Sequence, residues 1–198
     1  GADVVGGHSS QGQELTIGFT VTGLARRPIG KAGARPGDAI VLTKPIGTGT
    51  ILAAEMALAR LPGLILGETV AAALASMARP QGAAAALLAA HATAMTDVTG
   101  FGLAGHLLEM LDASGTAAEI ALSSVPFLPG AVALAAAGHG SSLLPANRGA
   151  VDWRMDAPPG PSTTLLADPQ TCGGLLATVP ADRVDSLLAA LRGAGAPD

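Results

Sequence analysis

MTDVTGFGLAGHLLEML, residues Met95–Leu111, decides how the chain is read, because its two halves follow different rules. In the second half Leu103, Leu107, Leu108 and Leu111 recur at three- and four-residue spacing. That spacing predicts a helix from about Gly102 to Ala113 with one buried face, stopped by Ser114-Gly115. The first half contains a literal G-x-G-x-x-G match, Gly100 to Gly105, a pattern associated with a dinucleotide phosphate at a helix N-terminus. Its context argues against that use. The fingerprint wants an apolar strand running straight into the first glycine and a ribose-binding acid about twenty residues on. Here Thr96-Asp97-Val98-Thr99 come first, and Glu119 falls inside AAEIAL, where no such role is evident. A carboxylate at Asp97 would repel a phosphate unless a cation lay between them. Two readings stay open: an acid near a helix start, favoured by the macrodipole by about 0.3–1 kcal/mol, or one end of an Asp–metal–phosphate bridge. For the bridge Mg2+ suits best, because it takes one or two carboxylates and fills its shell with water and phosphate. His106, well into the helix, is expected to pack or face solvent rather than ligate.

Outward from this stretch, strands and helices mix without strict βαβ alternation. ELTIGFTVTGL, 14–24, alternates apolar residues with threonines and predicts a strand with one buried face. AIVLT, 39–43, is a short apolar strand; ATAMTDV ends in a strand at Asp97; AAEIAL, 117–122, and GLLATV, 174–179, are further candidates. Helices are expected from about Ile51 to Arg60, Glu68 to Met77 and Gly82 to Ala90, then one ending at Gly138, and an amphipathic closing helix from Ala181 to Gly193. Residues 140–161, rich in Gly, Pro and Ser, read as an irregular surface loop. The class is α+β, a mixed sheet covered by helices.

Bulk properties narrow the function. The 198 residues are 49% hydrophobic but only 2% aromatic, with no Tyr and a net charge of −4. Stacking platforms and basic patches for nucleic acid are therefore missing. The apolar stretch from Ile51 to Ala78 is broken by Glu55, Arg60, Pro62 and Glu68, so no membrane span is expected. One cysteine, Cys172, excludes an internal disulfide and a cysteine-based zinc cage, and fits a reducing, cytoplasmic setting. The start, GADVVGGHSS, has neither a Met nor a signal-like region and reads as the middle of a longer chain.

Three further segments carry possible chemistry. GGHSS, 6–10, is either a linker or an anion cradle in which Gly6 and Gly7 offer backbone N–H groups while His8 and Ser9 add side-chain donors. LTKPIGTGT, 42–50, has the logic of a phosphate loop, a strand ending in Lys44 and then a Gly-Thr-Gly turn into a helix, without Walker A spacing; the alternative is a plain turn with Lys44 solvated. In DPQTCGGLL, 168–176, a turn and two glycines lead tightly into a strand, and Cys172 is expected to be a small buried residue rather than a nucleophile.

Taken in order, GGHSS, LTKPIGTGTILAAEM, MTDVTGFGLAGHLLEML, SVPFLPGA and DPQTCGGLL resemble the C-terminal part of the selenophosphate synthetase (selenide, water dikinase) family over nearly the whole chain. The wording of TDVTGFGLAGHL and DPQT-GGLL distinguishes that family from its relatives in the aminoimidazole ribonucleotide (AIR) synthetase-like superfamily. The resemblance implies an AIR synthetase C-terminal domain-like fold over residues 14–198, with 1–13 a tail from a missing N-terminal ATP-binding domain. It implies conversion of selenide, ATP and water to selenophosphate, AMP and phosphate with Mg2+. It also implies a cytoplasmic homodimer whose nucleotide site is shared between subunits. By the same resemblance Asp97 is a magnesium ligand, and Gly6, Gly7, His8 and Ser9 reach the nucleotide of the neighbouring subunit. Ser usually stands where this chain has Cys172. The family's catalytic Cys or selenocysteine and its Lys belong to the N-terminal half, so no catalytic residue is expected in this chain, which alone should be inactive. The competing readings are a non-catalytic scaffold or interaction domain of the same superfamily, and a related ATP-dependent phosphoryl-transfer enzyme with another substrate.

Overall fold

Three short extended runs, whose successive side chains point to opposite, covered faces, build the sheet to which everything else is attached. In the computed structural model, which describes residues 3–7, 9, 11–14, 16–25 and 27–195, β1 (Asp38–Leu42), β2 (Ala94–Asp97) and β3 (Leu175–Pro180) form an antiparallel sheet in the order β1-β3-β2. Register pairs Val41 with Ala177 and Asp97 with Leu175. The helices are α1 (Thr48–Met56), α2 (Leu66–Ala78), α3 (Gly82–His91), α4 (Gly102–Ser114), α5 (Ala131–Ala136), α6 (Leu144–Val151), α7 (Pro161–Leu166) and α8 (Val184–Gly193). This is the α+β architecture expected, with helices over both sheet faces, but the described sheet is antiparallel rather than mixed.

Each sheet face has its own core. Ile40, Leu42, Ala94, Val98 and Leu176 pack against Leu103, Leu107 and Met110 of α4. Val41, Ala177 and Val179 pack against Leu88 of α3 and Leu187 and Leu191 of α8. A third cluster, built from Ile51, Ala54, Ala73, Leu134 and Leu165, joins α1, α2, α5 and α7 beside the sheet. Among the described residues no helix is long and apolar enough to cross a membrane.

Four expectations change. The alternating segment 14–24 forms no strand among its described residues; Ile17, Phe19 and Val21 are 66%, 89% and 82% exposed. Alternation specifies a face, but a face needs a surface to cover. The outer edge of β2 is already met by Gly30, whose carbonyl accepts from Met95 N at 2.9 Å. The polypeptide engages the fold from Arg27 onward, where the guanidinium donates to Ala92 O at 3.2 Å. AAEIAL likewise joins no strand, and its last residue opens a 3-10 turn, Leu122–Ser124. It lies across an apolar cleft of about 630 Å³ from the free edge of β1. Residues 140–161 are not one loop, because α6 and the start of α7 fall there. Cys172 is exposed, not buried.

Candidate functional site

Three segments far apart in sequence, 43–50, 97–102 and 168–174, meet at one end of the sheet, and their glycines explain how. A Cβ on Gly102 would lie 2.7 Å from the Ala167 carbonyl carbon; on Gly173, 2.1 Å from Val98 O; on Gly174, 2.7 Å from Lys44 N; on Gly49, 2.4 Å from Pro169 O. Gly102 also needs its positive φ of 71°. Within the G-x-G-x-x-G stretch, then, Gly102 serves backbone-to-backbone packing, while Gly100 has open space around it.

The phosphate-loop reading of 42–50 is corrected by what already occupies its donors. Gln170 Oε1 accepts from Gly47 N at 2.9 Å, Thr48 N at 3.2 Å and the Thr48 hydroxyl at 3.1 Å. A carboxamide oxygen from the DPQT turn thus fills the place an anion would take at the start of α1. Thr48 returns a bond by accepting from Thr171 N at 2.9 Å. Lys44 is neither solvated nor free. It is 3% exposed, and its Nζ donates to Cys172 O at 3.0 Å and Met77 O at 3.5 Å. Desolvation by burial holds its pKa below the usual lysine value, partly offset by the Cys172 thiol and reinforced by Arg79.

Asp168 anchors the turn. It is fully buried and accepts from the Thr50 hydroxyl at 2.8 Å and from Gln170 Nε2 at 3.0 Å. Burial pushes its carboxyl up, against the bonds from Thr50, Gln170 and the Gly49 amide. Cys172 follows, with φ 49°, a left-handed conformation for a residue carrying a Cβ. The chain doubles back there into Gly173, and the thiol is left in solvent.

Asp97 is the last residue of β2 and is exposed. It belongs to the strand rather than to the first turn of α4, and no side chain caps that helix. Its carboxylate enters no hydrogen bond or ion pair among the described residues, and the same residues hold no group of three or more His, Cys, Asp or Glu suited to a metal. Asp97 therefore presents an unengaged hard-oxygen ligand at the end of β2. This fits Mg2+, which asks a protein for one or two carboxylates and takes water and phosphate for the rest. Of the nucleotide-contact residues inferred by resemblance, Gly6, Gly7 and Ser9 are exposed, and no described hydrogen bond joins them to the Asp97 turn; His8 lies outside the described residues.

His106, expected to pack or face solvent, is packed: it is 5% exposed, with Nε2 3.1 Å from the Thr99 hydroxyl and Nδ1 3.1 Å from Glu109 Oε2, which in turn accepts from Lys31 Nζ at 2.7 Å. The three-residue spacing of His106 and Glu109 on a helix is visible in sequence. The contacts to Thr99 and Lys31 are not.

Residues 35–198 match the family model described as AIR synthase related protein, C-terminal domain. Among similar proteins are two named selenide, water dikinase. The one from Nitratidesulfovibrio vulgaris is 40% identical, covering 100% of this chain and 57% of the relative. The one from Geobacter metallireducens is 42% identical, covering 98% and 57%. The chain thus spans a little over half the length of these curated relatives. Among solved structures, thiamine-monophosphate kinase from Stenotrophomonas maltophilia superposes with a TM-score of 0.58 at 20% identity, over 85% of this chain and 48% of that one. The E. coli hydrogenase maturation protein HypE gives 0.50 at 20%, over 83% and 42%. At that identity the two structures speak for the fold alone.

Proposed function

Because the chain belongs to the AIR synthase related protein C-terminal domain family, we propose that it is the C-terminal part of a selenide, water dikinase, which makes selenophosphate, AMP and phosphate from selenide, ATP and water. The observation that carries this reading is the roughly 40% identity to proteins of that name across essentially the whole chain. In this proposal residues 14–198 are the C-terminal domain and 1–13 the tail of an ATP-binding N-terminal domain. The whole is a cytoplasmic homodimer, and Gly6, Gly7, His8 and Ser9 reach the partner's nucleotide.

Asp97 supplies a magnesium ligand. Mg2+ held there would supply positive charge against the negative charge that otherwise opposes attack by an anionic selenide. The chain's own contribution is positional. Strand β2, paired to β3 through Leu175, fixes where the carboxylate stands, and the turn sealed by Gln170 and Gly102 fixes where the strand ends. Gln170 also keeps the start of α1 filled, so phosphate is directed to the Asp97 side rather than to the Gly47–Thr48 amides.

The test is AMP formation from ATP and selenide with Mg2+. The polypeptide joined to its N-terminal half is expected to be active, residues 1–198 alone inactive, and Asp97→Asn in the joined protein at least 100-fold slower. Activity of the isolated 198 residues would overturn the dependence on a second half. An inactive joined protein would overturn the dikinase reading, and a fully active Asp97→Asn variant the metal role.

A further inference from the structure

Strand β1 and the stretch 117–121 do not touch along their length, yet the chain ties them together at both ends. At one end Ser114 Oγ, at the close of α4, accepts from Gly33 N and Ala34 N at 3.1 Å each, just ahead of β1. At the other end Ile46 N donates to Pro126 O at 3.0 Å and Leu128 N to Ile46 O at 2.9 Å, a parallel bridge between Ile46 and Phe127. Residues 34–46 and 114–127 therefore run in the same direction and differ by one residue in length. The 3-10 turn Leu122–Ser124 takes up that residue, because it advances about 2.0 Å per residue against about 3.3 Å in a strand. Between the two ties lies the cleft of about 630 Å³, which Leu103 and Leu107 also line.

Both walls of the cleft carry backbone groups without a protein partner. Thr43 N donates to Leu175 O at 3.0 Å and Val98 N to Gly174 O at 2.8 Å, which sets the phase of the two antiparallel ladders. Val41 then turns its peptide groups to β3, while Ile40 and Leu42 turn theirs to the free edge. Across the cleft no amide of 117–121 donates a hydrogen bond among the described residues. At the root of that stretch Thr116 Oγ1 is buried, also without a partner among the described residues. Buried polar groups rarely stay unsatisfied. The side chains agree on a register. Ile40, Leu42 and Ile120 pack against the same core cluster, as residues on one face of a common sheet would. Placing Ile120 opposite Ile40 keeps the 80-residue separation of the Ala34–Ser114 contact.

We propose that residues 117–121 form a strap that closes onto the outer edge of β1 as a parallel strand in this register. Closed, Ile40 N meets Glu119 O, Leu42 N meets Ala121 O, and Ala121 N meets Ile40 O. The strap then covers an edge otherwise open to pairing with another chain. Open, it exposes the leucine-lined cleft. The device is independent of the Asp97 site.

The test is amide hydrogen exchange, read residue by residue by NMR, on this chain at two protein concentrations. Ile40 and Leu42 are expected to exchange at least about tenfold more slowly than unpaired amides at either concentration. Exchange at the unpaired rate, with Val41 still protected by β3, would overturn the proposal. So would protection that grows with concentration, since it would give the edge to a second copy. Two proline variants test the register. Ala121→Pro removes the N–H aimed at Ile40 O, and the φ of −75° at Ala121 already suits proline. Protection of Ile40 and Leu42 should fall about tenfold in it, while that of Val98, bonded to Gly174 O, holds. Ala118→Pro removes an N–H that faces away from β1 and should leave all three protected. Equal losses at Ile40 and Leu42 in the two variants would overturn the proposal. If a variant fails to fold, the parent's own exchange decides.

Discussion

Gly100 and Gly102 look interchangeable in the sequence, yet they face opposite situations. An added Cβ meets nothing within 4 Å at Gly100, whereas at Gly102 it meets three backbone atoms within 2.9 Å and a left-handed φ. Gly102→Ala is expected to cost about 2–5 kcal/mol, combining about 1–2 for the backbone conformation with about 1–3 for overpacking. Gly100→Ala should stay within about 0.5 kcal/mol. Urea midpoints of the two variants decide it. Asp168 gives a second residue-scale prediction. Its carboxyl is raised from its ordinary 3.8 by burial, so the fold prefers its protonated form. The stability it contributes is fully present below that ordinary value and is lost as pH rises through the higher folded value. Asp168→Asn gives up the carboxylate's pairing with Gln170 Nε2, so it starts behind. Its deficit relative to the parent should shrink as pH climbs through that window. A deficit that grew with pH instead, in denaturation series from acid to neutral, would contradict the burial argument.

The strand and helix elements were legible in proportion to how much of their stability is local. The periodicity of α4, the apolar runs of β1 and β3, and the Arg79-Pro80 break between α2 and α3 all stand in the sequence, and the structure has each. Helix α6 was hidden because LPANRGAV carries a weak pattern among Gly and Pro. It is fastened instead by Asn147, whose amide donates to Gly100 O at 2.8 Å and Ala167 O at 3.0 Å. The segments 14–24 and 117–122 erred the other way: strand patterns that join no sheet edge, although β1 leaves one free. The site divides along the same line. Asp97 could be singled out because a carboxylate before a glycine turn conflicts with phosphate. The filling of the α1 start by a glutamine about 120 residues away could not. At this scale Gln170→Ala is expected to destabilise by about 2–3 kcal/mol, since it leaves the Gly47 and Thr48 amides buried without an acceptor. Gln170→Glu keeps an acceptor at the helix start but replaces the Nε2 donor to Asp168 with a second buried carboxyl, so it should cost as much or more near neutral pH. Thermal unfolding of the pair tests the ranking.

At the scale of the molecule, the fold is engaged from Arg27 onward, through residue 195 of the described chain, while the described residues before Arg27 are exposed. Removing residues 1–24 should therefore change unfolding free energy by less than about 1 kcal/mol. It should also reduce self-association, because Ile17, Phe19, Val21 and Leu24 form an exposed apolar run. Sedimentation of the long and short chains would show this. A large loss of stability on shortening would mean that the segment packs onto the fold after all.

The meeting of 43–50, 97–102 and 168–174 has a consequence for anyone recombining this gene with a relative's. Crossover points placed between Thr50 and Asp168 would separate Thr50 from Asp168, Gly49 from Pro169 and Thr48 from Gln170. Chimeras should survive such exchanges only when both parents spell the two ends alike. A library built by gene shuffling would then show an apparent genetic linkage between positions more than a hundred residues apart, with no ligand involved in it.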